Sequence, residues 1–217
     1  MQEPVDAVKP RLRGRLHQVA FFVAVPAGVV LVSIAPTARA RFAAAIYALS
    51  LAGLYGSSTL YHRLPWSPRS LRWMKRLDHS MIFVLIAGTY TPLALLVLHG
   101  TWEVATLSVV WGGAALGIVL KLVRIDGLHA LTGALYIALG WMAVLAMPEI
   151  IRGISAPAVG LLFSGGVLYT AGAVVLARNR PDPIPSTYGY HEIWHSCVIA
   201  ATACHYSLIL LITLGAR

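Results

Sequence analysis

The amino-acid sequence predicts an all-α fold, a bundle of seven helices that cross a membrane. Three observations carry that prediction. Charged residues make up only 12% of the 217 residues and hydrophobic ones 58%, against about 25% charged in an ordinary soluble domain. Apolar runs recur at the length a bilayer needs, since a hydrocarbon core about 30 Å thick takes roughly 20 helical residues. Lys and Arg sit in short clusters between those runs, which is the pattern of membrane topology. The net charge of +9 therefore reads as topology. The bases do not gather on one solvated face, and no nucleic-acid partner is expected.

The spans read, in order, as 19–35, 42–61, 78–98, 104–120, 128–147, 156–177 and 191–214, within a single domain over 1–217. The first is the shortest and follows a short basic segment, 1–16. "ARA" at 38–40 resembles a signal-peptidase site, but the preceding apolar run is 17 residues, longer than the usual 7–15. It reads as a retained span. The second span ends in "GSSTLYH" and is followed by "RLPWSPRSLRWMKR", a proline-broken, basic connection. "GTYTP" puts Pro92 inside the third span, where a kink is expected. Gly113 and Gly117 in the fourth form a small-xxx-small pair, a helix-packing signal. "RNRPDPIPSTYGY" separates the sixth span from the seventh. Cys197 and Cys204 lie in the seventh, about 10 Å apart along its axis, too far for a disulfide. Both read as buried apolar side chains. Trp66, Trp73, Trp102 and Trp111 include interface anchors.

Of the 17 Lys and Arg residues, thirteen fall on one side of these spans and four, Arg39, Arg41, Arg152 and Arg217, on the other. The positive-inside rule then predicts a cytoplasmic N-terminus and an outer C-terminus.

Ionisable residues inside spans are functional candidates, because each costs several kcal/mol unless partnered. They converge here. Ser58 and His62 share one helix face at the end of the second span, Asp78 and His79 begin the third, and His191, Glu192 and His195 begin the seventh. Under the predicted topology His62, Asp78, His191 and His195 all lie in the inner leaflet. His191 and His195, spaced i, i+4, can point at one ion, and His62 supplies a third imidazole. Three protein ligands plus an open position describe a catalytic zinc site. Asp78 then accepts a hydrogen bond from activated water, and Ser58 donates to a substrate carbonyl. Two other readings stand beside this one. Membrane histidines often only hydrogen-bond across helices. "HEIWH" also matches His-Glu-x-x-His, in which Glu192 is the general base; alternatively Glu192 faces the headgroups. His205 lies about 15 Å deeper than His195 and reads as a buried hydrogen-bonding residue. His79 points away from Asp78. His17, His99 and His129, near span ends, read as interfacial.

"SSTLYHR", "RLDHSMIFVLIAGTYTP" and "HEIWHSCVIAATACHY" together resemble the hemolysin III family, which belongs with the progestin and adipoQ receptors, including the adiponectin receptors. The resemblance runs from Ser58 to the C-terminus. It implies seven helices in the same orientation and a zinc ion on His62, His191 and His195, with Asp78 and Ser58 close by. Eukaryotic relatives are linked to ceramide hydrolysis, and the related alkaline ceramidases share the metal pattern. The position of Glu192 is not required to be acidic across relatives, which weakens the His-Glu-x-x-His reading. The short N-terminus lacks the receptors' long cytoplasmic segment, so their protein partners are not expected. The expectation is a multi-pass protein of a bacterial inner membrane, in contact with lipids, that hydrolyses a lipid amide or ester, ceramidase-like, with Asp78 as base and Ser58 at the oxyanion. The alternatives are a pore or lytic protein, as the family name implies, and a sensor of membrane state with structural zinc.

Overall fold

The computed structural model describes residues 10–215. Eight α-helices follow one another: α1 (Arg15–Ile34), α2 (Ala38–Arg63), α3 (Pro68–Val97), α4 (Thr101–Val123), α5 (His129–Gly140), α6 (Met147–Gly153), α7 (Ala156–Arg178) and α8 (Tyr190–Thr213). Local chemistry fixes the ends. Thr37 caps α2 by accepting from the Ala40 N–H at 3.1 Å. Ser67 accepts from the Ser70 N–H at 3.3 Å, with Pro68 in the first turn of α3. Asn179, in the left-handed region at φ 52°, ends α7.

Six of these helices, all but α5 and α6, are long and apolar enough to cross a membrane. The predicted fifth span is not one straight helix. It is broken into α5 and α6, bent by 53°, with a 3-10 turn at Met142–Val144 between them. Counted as one crossing, the pair brings the total to seven. A break at membrane depth frees backbone groups that must find partners inside the protein. Tyr90 on α3 supplies them: its hydroxyl donates to Gly140 O at 2.7 Å and accepts from Ala143 N–H at 2.8 Å. The kink expected at Pro92 does not interrupt α3, which runs on through it.

Packing follows chain order, α1 on α2, α2 on α3, α3 on α4 and α7 on α8, with α8 also touching α1, α2 and α3. The core between them is apolar, including Leu31, Tyr47, Phe83, Val110, Ile150, Leu208 and Ile209. The glycine pair on α4 serves packing: a Cβ at Gly113 would meet Leu139, and one at Gly117 would meet Phe83. The outward faces are apolar too, as Val19, Phe22, Val23, Val29 and Val30 of α1 show. A surface of that kind suits lipid rather than water. Cys197 and Cys204 are both free and partly buried.

Arg15, Arg63, Pro68, Val123, His129, Arg178 and Tyr190 are helix ends joined by short connections. They define one end of the bundle, here called the basic end. Arg39 with Glu103, and Arg152 with Glu149, form ion pairs at the opposite end.

Candidate metal centre

Two helices place three imidazoles at the basic end. His62 is on the last turn of α2, and His191 and His195 are on the first turns of α8. One ring nitrogen from each lies within 4.8 Å of the others. Nε2 of His62 and Nε2 of His191 stand 3.3 Å apart. Two nitrogens about 2.0–2.1 Å from a shared tetrahedral ion are separated by roughly that distance. His195 is buried, and its Nδ1 has no hydrogen-bond partner. A neutral imidazole offers one donor and one lone pair, so three rings facing one another cannot satisfy each other fully. A cation suits them, and imidazole nitrogen suits zinc among the common metals.

The two other predicted residues lie on neighbouring helices, Ser58 on α2 and Asp78 on α3. Ser58, one turn before His62, is buried. Its hydroxyl is the side-chain partner of the Asp78 carboxyl. Asp78 is largely enclosed near the start of the apolar part of α3, 3.9 Å from His79 Nδ1. His79 itself turns back to Lys75 O at 2.8 Å and does not join the three imidazoles. His205 is buried deeper on α8, with Nε2 3.3 Å from Leu162 O, as the sequence suggested. His99 and His129 are exposed near helix ends.

Two expectations are corrected. His17 is not interfacial. It is buried on the first turn of α1, stacked on His195 with ring centroids 3.8 Å apart and planes 10° apart. Its Nδ1 lies 2.8 Å from Ser58 Oγ. Its buried Nε2 has no hydrogen-bond partner. The sequence held a signal for this: His17 stands just before the first span, on the side of the membrane where the predicted topology places His62. Glu192, in turn, does not face the headgroups. Its side chain is fully buried, and both oxygens are engaged. Oε1 accepts from Arg13 Nε at 2.6 Å, and Oε2 accepts from Gly189 N–H at 3.0 Å, capping α8. A carboxylate held at both oxygens is poorly placed to act as a base.

The segment before α1 closes over this centre. Arg11 N–H donates to Ser186 O and Leu12 N–H to Thr187 O, at 3.0 and 3.2 Å. The Arg13–Glu192 ion pair fixes the segment to α8. Gly14 has φ +77° and lies against His62, where a Cβ would come within 2.6 Å of His62 Cβ. Only glycine fits both the conformation and the space.

Sequence comparisons show the family. The chain is 32% identical over 197 residues to "Hemolysin-3 homolog" of Bacillus subtilis, covering 89% of each chain. It is 31% identical over 201 residues to "Hemolysin-3" of Bacillus cereus, covering 91% of this chain and 89% of the relative. More distantly, it is 25% identical over 179 residues to the human "Monocyte to macrophage differentiation factor", covering 78% of this chain and 69% of that one. The family model described as "Haemolysin-III related" matches residues 5–206. This multi-pass membrane protein, with three clustered histidines able to hold a metal ion, belongs to the haemolysin-III related family.

Proposed function

We propose that the protein is a zinc-dependent hydrolase of the membrane interior, acting on an amide or ester bond of a lipid. The observation that supports it is the convergence of the three imidazoles beside the His17–Ser58–Asp78 chain. His62, His191 and His195 would hold the ion. A zinc bound there supplies a Lewis acid toward a carbonyl and makes water acidic enough to attack at neutral pH. Asp78 accepts the proton of the attacking water at its carboxylate. Ser58 donates to Asp78 and aims it, and His17 fixes the Ser58 hydroxyl in turn. With its hydroxyl engaged in this way, Ser58 serves as a positioning group for the base rather than as the oxyanion donor. The Arg13–Glu192 pair holds the N-terminal segment beside the centre. With the basic end cytoplasmic, the centre sits in the inner leaflet of a bacterial cytoplasmic membrane, where a lipid can enter sideways between helices.

The experiment is hydrolysis of ceramides and a panel of lipid esters in detergent, run alongside zinc analysis. Asp78→Asn is expected to keep its zinc and lose at least about a hundredfold in rate, since an amide accepts no proton. Full activity in Asp78→Asn would remove Asp78 as the base. A wild-type protein that retains zinc but turns over nothing in the panel would favour the structural or sensing role.

A further inference from the structure

Beside the metal centre, the N-terminal segment, the end of α2 and the loop before α8 enclose an open cleft. Its walls include Arg11, Arg13, Arg15, Arg63, Thr187 and His62. Four arginines line it, and of these Arg13 is paired with the buried Glu192 carboxylate. Arg11, Arg15 and Arg63 are exposed, and no acidic side chain among the described residues forms an ion pair with them. The cleft is built rather than incidental. The backbone of Arg11 and Leu12 is bonded to Ser186 and Thr187, Arg13 is locked to a buried Glu192, and Gly14 seats the turn directly on His62. A concave wall lined by one sign of charge concentrates the field inside it. Guanidinium forks match the oxygens of a phosphate in pairs.

We propose that this cleft binds the phosphate headgroup of an anionic lipid, bringing the lipid to the mouth of the histidine centre. Because His62 is both a wall of the cleft and one of the three imidazoles, a headgroup seated on the arginines leaves the adjoining part of the lipid beside them. The inference deepens the hydrolase reading by naming its substrate class, and rests on it only for the claim that the bound lipid is a substrate.

The test uses the full chain in phosphatidylcholine nanodiscs doped with phosphatidic acid, with retained lipid read by native mass spectrometry. Arg11→Gln/Arg15→Gln/Arg63→Gln is expected to retain phosphatidic acid at least about tenfold less than wild type. A second triple variant, Arg69→Gln/Arg72→Gln/Arg124→Gln, removes the same charge from exposed positions outside the cleft and is expected to match wild type. Equal loss in both triples would reduce the effect to diffuse surface charge and overturn the site, as would no loss in either. Millimolar inorganic phosphate separates two sources of the same chemistry. Displacement of the lipid assigns the cleft to phosphate as such, and resistance assigns it to the lipid headgroup. Should the cleft triple fail to fold, Arg15→Gln alone is expected to lose about threefold, and unchanged retention there would overturn the site. His195→Ala is expected to keep the lipid while losing metal and turnover, so failure of the cleft and failure of the hydrolase reading give different results.

Discussion

Buried histidine occurs in two regions of the bundle, and they are solved differently. Deep on α8, His205 is alone. Its Nε2 meets the Leu162 carbonyl, its ring lies 5.6 Å from Tyr169, and Gly165 on α7 is the only residue size that leaves room for it. At the basic end, His17, His62, His191 and His195 lie ring against ring, with centroid separations from 3.8 to 5.3 Å. Each region also leaves ring nitrogens without a hydrogen-bond partner: Nδ1 of His205, Nδ1 of His195 and Nε2 of His17. The difference is convergence. One imidazole with a carbonyl partner is a packing element; several with nitrogens close to one point can hold a metal ion. Burial of an ionisable group is therefore not enough to mark a functional site in a membrane, and the partner decides.

The largest expected effect tests what encloses the histidine group. Glu192→Ala removes the carboxylate that the buried Arg13 donates to and uncaps α8. Breaking a buried pair from one side costs about 3–5 kcal/mol, visible as a lowered melting temperature in detergent. An unchanged melting temperature would mean that the N-terminal segment does not seal the centre.

Next come two matched glycine substitutions. Gly165→Ala drives a methyl group into His205, where the added Cβ would stand 2.2 Å from Nε2. Gly14→Ala drives one into His62 and strains a backbone at φ +77°. Both are expected to destabilise by about 1–3 kcal/mol. Only Gly14→Ala is expected to weaken zinc binding in a competition titration with a chelator. Equal zinc affinity in the two variants would erase the distinction between the regions.

His17→Phe keeps a ring against His195 but removes the bond to Ser58. Zinc content is expected to stay near wild type while lipid hydrolysis falls about tenfold. A variant that loses zinc in proportion to activity would make His17 a ligand rather than a positioning residue.

The smallest effect lies outside the membrane. Lys75 Nζ donates to Asp126 Oδ1 at 2.8 Å. That bond holds the Asp126 carboxyl below the usual carboxylate range. A depressed folded-state pKa stabilises above the unfolded value, near about 3.9, and the contribution fades as pH falls through the lower folded value. Asp126 is 67% exposed, so the pair contributes less than about 1 kcal/mol. Asp126→Asn is expected to shift the melting temperature slightly at pH 7 and not at all near pH 2.

Much of this was legible in the sequence because hydropathy and helical spacing act locally. Six spans, and the meeting of His62 with His191 and His195, follow from run lengths and an i, i+4 interval. The break in the fifth crossing did not follow, although Gly140 and Pro148 bracket it. A run stays apolar whether or not its backbone is bent, and the partner that makes the bend tolerable, Tyr90, is 50 residues away. α3 likewise starts at Pro68, ten residues before its apolar run, because a capped, polar first turn is invisible to hydropathy. His17 and the Arg13–Glu192 pair were missed for a related reason. Their partners lie 41 and 179 residues away in the chain, and a residue at the edge of a span reads as interfacial until another segment covers it.

The central claim is that the histidines at the basic end hold one ion and His205 holds none. Elemental analysis of purified protein tests it directly, comparing wild type with His62→Ala, His191→Ala, His195→Ala and His205→Ala. About one zinc per chain is expected in wild type and in His205→Ala, falling toward background in the other three. Undiminished zinc in all four variants, or none in the wild type after growth and purification with zinc present, would contradict it.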